Sequence, residues 1–406
     1  MTALPLSLRQ SRMSLLAVVL ISFTACDTVD DSSNMSVRRD SAGVTIVENT
    51  GPSWRAGEEW TVDSVPLFAI APDAGQHAEF QGIMNVIRLD DGTVVANDRR
   101  GPSVRAFAPD GSVRWTSVRE GDGPGELRSA GFIHRLAGDS ISVEANLAPK
   151  ALLLDSDGNY VEELPIIPVG SSAPDVLGRY SQVMLRMADG AAVGIISELT
   201  RAHVEGTAVP TPIMEFHVVH RDGSSSLLGN WPMMTLGTLL TPIAAWAPLP
   251  DGFLYGWPTQ DEFRVYGASG ELRMIVRGPG VPRAPNADEI ASAREWYAEG
   301  QENAVQARRD AAERPVADSI SLYRRLVSSR TGEIWRERYD AGTDGRFTFK
   351  PEGVMWDVFT ADGSLLGGVL LPTRFTLTDA GEDWLAGIHI DEMDVQTPRV
   401  YRLVRR

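Results

Sequence analysis

Ile83-Met-Asn-Val-Ile-Arg-Leu89, Thr93-Val-Val-Ala-Asn97, Ser103-Val-Arg-Ala-Phe-Ala108 and Ser112-Val-Arg-Trp-Thr-Ser-Val118 follow one another with hardly a residue to spare. Asp91-Gly92 separates the first run from the second, and Pro109-Asp110-Gly111 the third from the fourth. Asp-Gly between apolar alternations is the strongest short-range hairpin signal, because glycine accepts the positive φ that a two-residue turn demands. The stretch therefore reads as four antiparallel strands, with Val104 and Ala106 on one face of the third.

The same unit returns along the chain. Its next copy is Gly131-Phe-Ile-His-Arg-Leu136, Ser140-Ile-Ser-Val-Glu144, Lys150-Ala-Leu-Leu-Leu154 and Tyr160-Val-Glu-Glu-Leu164. Turns between first and second strands fall at Asp91-Gly92, Ala137-Gly138, Asp189-Gly190, Asp251-Gly252, Thr331-Gly332 and Ala380-Gly381. Turns between third and fourth strands fall at Asp110-Gly111, Asp157-Gly158, Asp222-Gly223, Ser269-Gly270 and Asp362-Gly363. A repeat of roughly 40–50 residues with four short strands is the signature of propeller blades, which cannot bury both faces until neighbours stack around an axis. Six first turns predict an all-β, six-bladed β-propeller of four-stranded antiparallel blades. The sixth unit runs out after Val400-Tyr-Arg-Leu-Val404, so its fourth strand must come from elsewhere. Trp60-Thr-Val-Asp-Ser-Val-Pro-Leu-Phe-Ala-Ile70 is the expected donor, closing the ring and covering both open edges. The third unit departs from the pattern with an insert around Glu198–Thr211.

The N-terminus carries a different signal. Arg9 and Arg12 precede Leu15-Leu-Ala-Val-Val-Leu-Ile-Ser-Phe23, and residues 1–25 hold no acidic side chain. The run is too short to span a bilayer, which needs about 20 apolar residues, and fits the h-region of a secretory signal peptide. Phe23-Thr24-Ala25-Cys26 follows, and Cys26 is the single cysteine. This resembles the bacterial lipobox, which implies cleavage before Cys26 and its lipidation; Phe23 departs from the leucine usual there. The expected organisation is a signal peptide over 1–25, a flexible polar tether over 26–41 and a propeller over 42–406. The protein is expected in the cell envelope, held to the membrane through its lipid and facing periplasm or exterior, as a monomer.

With the order Ala42-Gly-Val-Thr-Ile-Val-Glu-Asn49, the paired turns and Arg119-Glu-Gly-Asp-Gly-Pro-Gly-Glu-Leu127, the chain resembles bacterial six-bladed β-propeller lipoproteins of the NHL/TolB-like type over nearly its whole mature length. That resemblance implies a fold; most members of the family have no assigned activity, so it implies no reaction.

One interval breaks the rhythm. Residues 287–314 are rich in Ala, Glu, Arg and Gln and predict a helical insertion. Asn286 is the expected N-cap, Glu289 completes a capping box, Gly300 bends or splits the helix and Pro315 ends it. An insert packed on the rim is one reading. A lid over the channel mouth is the other, with Trp296, Tyr297, Arg308 and Arg309 as candidate ligand contacts.

Motifs for chemistry are scarce. The formal charge of −16 argues against nucleic acid as a partner. His217-Val-Val-His220 lies on a predicted strand, where residues three apart point to opposite faces and cannot chelate one metal. Asp155-Ser-Asp-Gly158 has its glycine at the wrong place for a calcium loop and reads as a hairpin turn. Gly121-Asp-Gly-Pro-Gly125 lacks the Lys-Ser/Thr ending of a phosphate loop and reads as a crossover between blades. No Gly-x-Ser-x-Gly elbow occurs. Trp335, Trp356 and Trp384 are expected in the core, with an aromatic platform for a ligand as the alternative.

The leading functional expectation is thus a lipid-anchored binding or scaffold module without cofactor, whose partner is a protein, a small molecule or a glycan. The alternative is a metal-dependent lactonase or hydrolase with a divalent ion such as calcium at the channel mouth. Asn85, Asn97 and Asp98 could contribute ligands to such a site.

Overall fold

The structure is a computed structural model. It describes residues 35–71, 75, 79–101, 103–145, 150–167, 176–200, 213–234, 237–299, 303–341 and 353–405. The expected signal peptide, Cys26, Gly300 and most of the third-unit insert lie outside these residues.

Six four-stranded antiparallel blades form in chain order. Blade 1 is Ile83–Arg88, Val94–Asp98, Ser103–Phe107 and Val113–Ser117. Blade 2 is Ala130–Arg135, Ile141–Ala145, Ala151–Leu154 and Tyr160–Glu163. Blade 3 is Val176–Arg186, Ala192–Thr200, Ile213–Val219 and Ser225–Pro232. Blade 4 is Ala245–Leu249, Gly252–Gly256, Glu262–Gly267 and Leu272–Arg277. Blade 5 is Tyr323–Ser328, Ile334–Arg338, Val354–Phe359 and Leu365–Leu371. Blade 6 is Phe375–Ala380, Trp384–Ile390 and Gln396–Val404, completed by Thr61–Phe68. That donated strand pairs antiparallel with the last one, Val400 opposite Phe68 and Val404 opposite Thr61, so the expected closure is present.

The turns hold their shape through a repeated local device. In Asp91, Asp110, Asp189 and Asp222 the carboxylate accepts the N–H two residues on at 2.9–3.0 Å, while the intervening glycine takes φ between 86° and 91° in the first three and 83° in the fourth. Asp155 does the same for Asp157 and Asn159, which spends its oxygens on the turn. Gly111 shows why glycine is needed: a Cβ there would lie 2.2 Å from the Ala69 carbonyl oxygen, where the closing strand runs past blade 1.

Apolar side chains fill the seams between blades. Val104, Ala106, Ile133 and Leu152 join blades 1 and 2; Trp335, Trp356, Phe375 and Tyr401 join blades 5 and 6. Trp335, Trp356 and Trp384 are buried core residues, as expected. The seam between blades 2 and 3 differs. Its apolar clusters are small, and a buried ion pair stands in it: Arg186 Nε donates to Glu144 Oε1 at 2.8 Å and Nη1 to the Gly190 carbonyl at 2.8 Å.

The expected tether over 26–41 requires correction. Ser36–Ser41 form a strand that pairs with Val44–Asn49, which lies parallel to Leu272–Arg277 and widens the blade 4 sheet to six strands. The hairpin forms because Ala42 and Gly43 both take positive φ (54° and 82°), the pairing of a tight two-residue turn. Asn49 then locks it in: its amide donates to the Arg277 and Gly363 carbonyls and accepts the Leu365 N–H. Every strand of the ring thus lies within residues 35–406, which form one compact unit.

Two helices stand in the connection from blade 4 to blade 5: α1 (Ala287–Glu299) and α2 (Ala304–Glu313). The capping box is formed in both directions, Asn286 N–H to Glu289 at 2.8 Å and Glu289 N–H to Asn286 at 2.9 Å. Gly121–Gly125 is the expected crossover, folded around the Glu126 carboxylate, which accepts the Gly123 N–H at 3.0 Å.

Candidate functional site

Each inner strand starts at one face of the ring and ends at the other. The Asp-Gly turns of both sets lie at the face where inner strands end, here the lower face. The upper face holds the connections between blades and the loops between second and third strands. The helices and the loop at Arg99 belong to it. The inner strands of all six blades surround a central cavity of about 910 Å³. Met84, Phe132, Met184, Trp246, Phe375 and Ile388 make its walls largely apolar.

A network of ion pairs crosses the lower end. Asp90 Oδ1 accepts from Arg135 at 2.7 Å and Arg330 at 2.5 Å, so one carboxylate links blades 1, 2 and 5. Its own N–H donates to Asp139 at 2.8 Å, and Arg135 reaches the same side chain at 3.1 Å. Asp379 of blade 6 accepts the Arg88 N–H at 2.9 Å and lies 3.8 Å from Arg330. Burial pushes its carboxyl above the usual range, with Arg330 opposing the shift. The guanidinium groups of Arg88 and Arg330 both stand about 5 Å from the Trp384 ring, 5.0 Å and 4.9 Å respectively, completing a cation–π stack.

Midway, His134 lines the cavity beside Phe132. Burial pushes its imidazole down to about 4, with Glu144 opposing and Arg186 reinforcing the shift. It is therefore neutral at pH 7, and its Nε2 has no hydrogen-bond partner among the described residues.

Arg99, Arg324, Arg325 and the Glu337 carboxylate, which is 5% exposed, line the upper end of the cavity. Arg325 Nε lies 3.4 Å from one Glu337 oxygen and Arg324 Nη1 4.0 Å from the other. Arg99 is exposed on its loop, its backbone N–H bonded to the Gly82 carbonyl at 2.8 Å.

The residues considered for a metal are engaged otherwise. The Asn85 amide donates to the Ile133 carbonyl at 2.7 Å and accepts the Ile133 N–H at 2.9 Å, a clasp between blades 1 and 2. Asn97 accepts the Asn85 N–H at 3.3 Å and donates to the Gly131 carbonyl. Asp98 accepts the N–H groups of Gln81 and Arg100 at 3.0 and 3.2 Å. These three do not fit a calcium site, and no group of three or more His, Cys, Asp or Glu is placed to hold a metal among the described residues.

Trp296, Tyr297, Arg308 and Arg309 belong to the helix pair on the upper face, but none of them lines the channel. Tyr297 packs with Leu239, Leu240, Ala293 and Ile320; its hydroxyl accepts from Arg314 at 2.8 Å, and the same guanidinium lies 4.3 Å over its ring. Arg308 pairs with Glu295 on the surface at 3.3 Å, Arg309 is exposed and Trp296 is half-buried.

The channel arginines went unnoticed in the sequence because they are gathered from blades 1, 2, 3 and 5. A signal was there: Arg88, Arg135 and Arg186 occupy the same position in blades 1, 2 and 3. Each stands directly before the residue whose N–H closes the first turn at 2.8 Å, namely Leu89, Leu136 and Met187.

The fold and channel define a class: a six-bladed β-propeller with a largely apolar central cavity. Among solved structures, the chain is similar to a protein of Bacteroides fragilis described as exported (10% identity, TM-score 0.46, covering 89% of this chain and 99% of that one). It is also similar to a gluconolactonase from Xanthomonas campestris (15%, 0.36, 86% and 98%) and to virginiamycin B lyase from Staphylococcus aureus (10%, 0.37, 85% and 99%). No protein-family model and no curated protein matches the chain. The blade count rests on the strand order itself.

Proposed function

We propose that the protein is an exported, lipid-anchored binding propeller of the bacterial NHL/TolB-like type that takes up a small molecule through the upper mouth of its channel. The observation that carries this is the channel: about 910 Å³, within the roughly 300–1,000 Å³ of small-molecule sites and with the apolar walls usual in them. Such a volume suits a small ligand and is too small for a folded partner.

The anchor fits the same picture. Ser36 pairs with Asn49 in the hairpin seated on the edge of blade 4. The stretch from Cys26 to Met35 spans at most about 30 Å when extended. A lipid on Cys26 would therefore hold the propeller close to the membrane. No helix of the described residues is long and apolar enough to cross a membrane, so the attachment proposed is the lipid.

Elemental analysis of purified residues 35–406 after gentle dialysis tests the binding reading against the lactonase alternative. The expected result is no stoichiometric metal and no thermal shift on adding calcium. About one divalent ion per chain would replace the binding reading with the enzyme one and call for a screen of lactones and esters.

A further inference from the structure

We infer that the cavity receives an uncharged amphiphile, whose single hydroxyl or amide group bonds to His134 Nε2 and whose apolar body lies against the blades. The inference deepens the binding reading and rests on it.

His134 is where the cavity wall leaves a bond unmade. Its Nε2 is buried and, among the described residues, has no hydrogen-bond partner. Nothing in its own blade answers it. Ser142 stands opposite in the ladder, and its hydroxyl is itself buried without a partner. The Glu144 carboxylate, two residues further on, is taken by Arg186 at 2.8 and 3.3 Å. Burial holds the imidazole down to about 4, so at pH 7 it is neutral and offers a hydrogen bond rather than a charge. Buried polar atoms are almost always partnered, and an unmade bond on a cavity wall is one that a guest can supply. A hydroxyl or an amide suits either ring tautomer, since each both donates and accepts.

The rest of the wall narrows the guest further. Gln396 accepts the Ile83 N–H at 2.7 Å, Thr378 donates to the Val86 carbonyl at 2.7 Å and Asn85 clasps Ile133. Of the uncharged side chains lining the cavity, His134 alone has a buried polar atom without a partner among the described residues. The charged groups are paired or wet. Arg186 holds Glu144, Arg135 and Arg330 share Asp90, Asp379 lies beside Arg330, and Glu337 lies within 4.0 Å of both Arg324 and Arg325. Arg99 is exposed to water on its loop. An ionised guest would surrender its hydration to counter-ions that already have partners.

Between these groups stand Met84, Phe132, Met184, Trp246 and Phe375. A glycan would bring many hydroxyls to a wall that can answer one, at a cost for each of the others. An alkyl or aryl body has none to lose. The methionines suit a body of variable shape, since their unbranched chains adapt to what they touch.

The test uses residues 35–406 and three probes of equal chain length: octan-1-ol, 1-chlorooctane and octanoate, each below its solubility or micelle limit. Affinity is read by calorimetry, and the His134 ring by nitrogen NMR of histidine-labelled protein. Octan-1-ol should shift the Nε2 resonance and 1-chlorooctane should leave it in place. His134→Phe should cut octan-1-ol affinity by about tenfold, the worth of one hydrogen bond, and leave 1-chlorooctane affinity unchanged. The melting temperature of this variant should hold or rise, because the substitution removes a buried polar atom that has no partner. Octanoate should bind more weakly than the alcohol. An unaltered octan-1-ol affinity in H134F, or an Nε2 resonance that octan-1-ol does not move, would overturn the His134 subsite while leaving a small-molecule channel. Octanoate binding as tightly as octan-1-ol would overturn the choice of an uncharged guest. Binding of none of the three would overturn both the subsite and the channel reading.

Discussion

The two ends of the channel are built by opposite means. The lower end is made of turns that repeat from blade to blade, and its charges are matched one to another across blades 5, 6, 1 and 2. The upper end is made of connections that differ from blade to blade: a glycine-rich crossover from blade 1 to blade 2, and a helix pair from blade 4 to blade 5. Regular turns can be specified by a few residues, Asp then Gly, because backbone geometry does most of the work. Irregular connections are where a propeller acquires individual chemistry, since loops tolerate change that a ladder of hydrogen bonds does not.

The largest expected effect lies in the matched part. Arg186→Ala would strand the Glu144 carboxylate in the apolar-poor seam between blades 2 and 3, with Arg186 now fully buried and Glu144 3% exposed. Removing one partner of a buried pair costs about 3–5 kcal/mol, and the melting temperature should fall accordingly. At the upper face the surface pair Arg308–Glu295 should matter far less. Arg308→Ala should change stability by no more than about 1 kcal/mol, the range of exposed ion pairs. If the two substitutions cost the same in denaturant titrations, the contrast between a matched interior and a loosely held rim fails.

Acid sharpens the comparison at smaller amplitude. His134 has its imidazole held down to about 4 from an ordinary 6.5. The unfolded chain therefore binds the proton that the folded one refuses between these values, and stability should decline as pH falls from about 6.5 toward 4. Above pH 6.5 the imidazole is neutral in both states and the contribution is constant. An NMR titration of His134 should give a midpoint near 4. A midpoint near 6.5 would mean that water reaches the ring freely, and that the channel is wetter than its walls imply.

Most of the fold was legible in the sequence, and for a physical reason. Eleven Gly turns, the six first ones from Gly92 to Gly381 and the five second ones from Gly111 to Gly363, mark hairpins that the structure forms. Closure by Thr61–Phe68 followed from counting strands, since an unpaired edge is a liability in any sheet. The hairpin over Ser36–Asn49 was only half read. Ser36–Ser41 is a polar segment with nothing to bury, and it becomes a strand because Val44–Asn49, itself seated on the edge of blade 4, supplies its partners. The channel was hardly legible at all. Arg99 lies far from Arg324 and Arg325 in the chain, and a cavity lined from all six blades leaves no local spacing to find. The aromatic and basic residues of the helix insertion drew attention because they cluster in sequence. Clustering there served the packing of Tyr297 on Arg314 and a surface ion pair.

The channel as the binding site is tested most directly by a crystal structure of residues 35–406 grown with a brominated small amphiphile such as 10-bromodecan-1-ol. The account predicts bromine anomalous signal inside the ring, against Met184, Trp246 and Phe375. A ligand found only outside the ring, with the channel unoccupied, would contradict it.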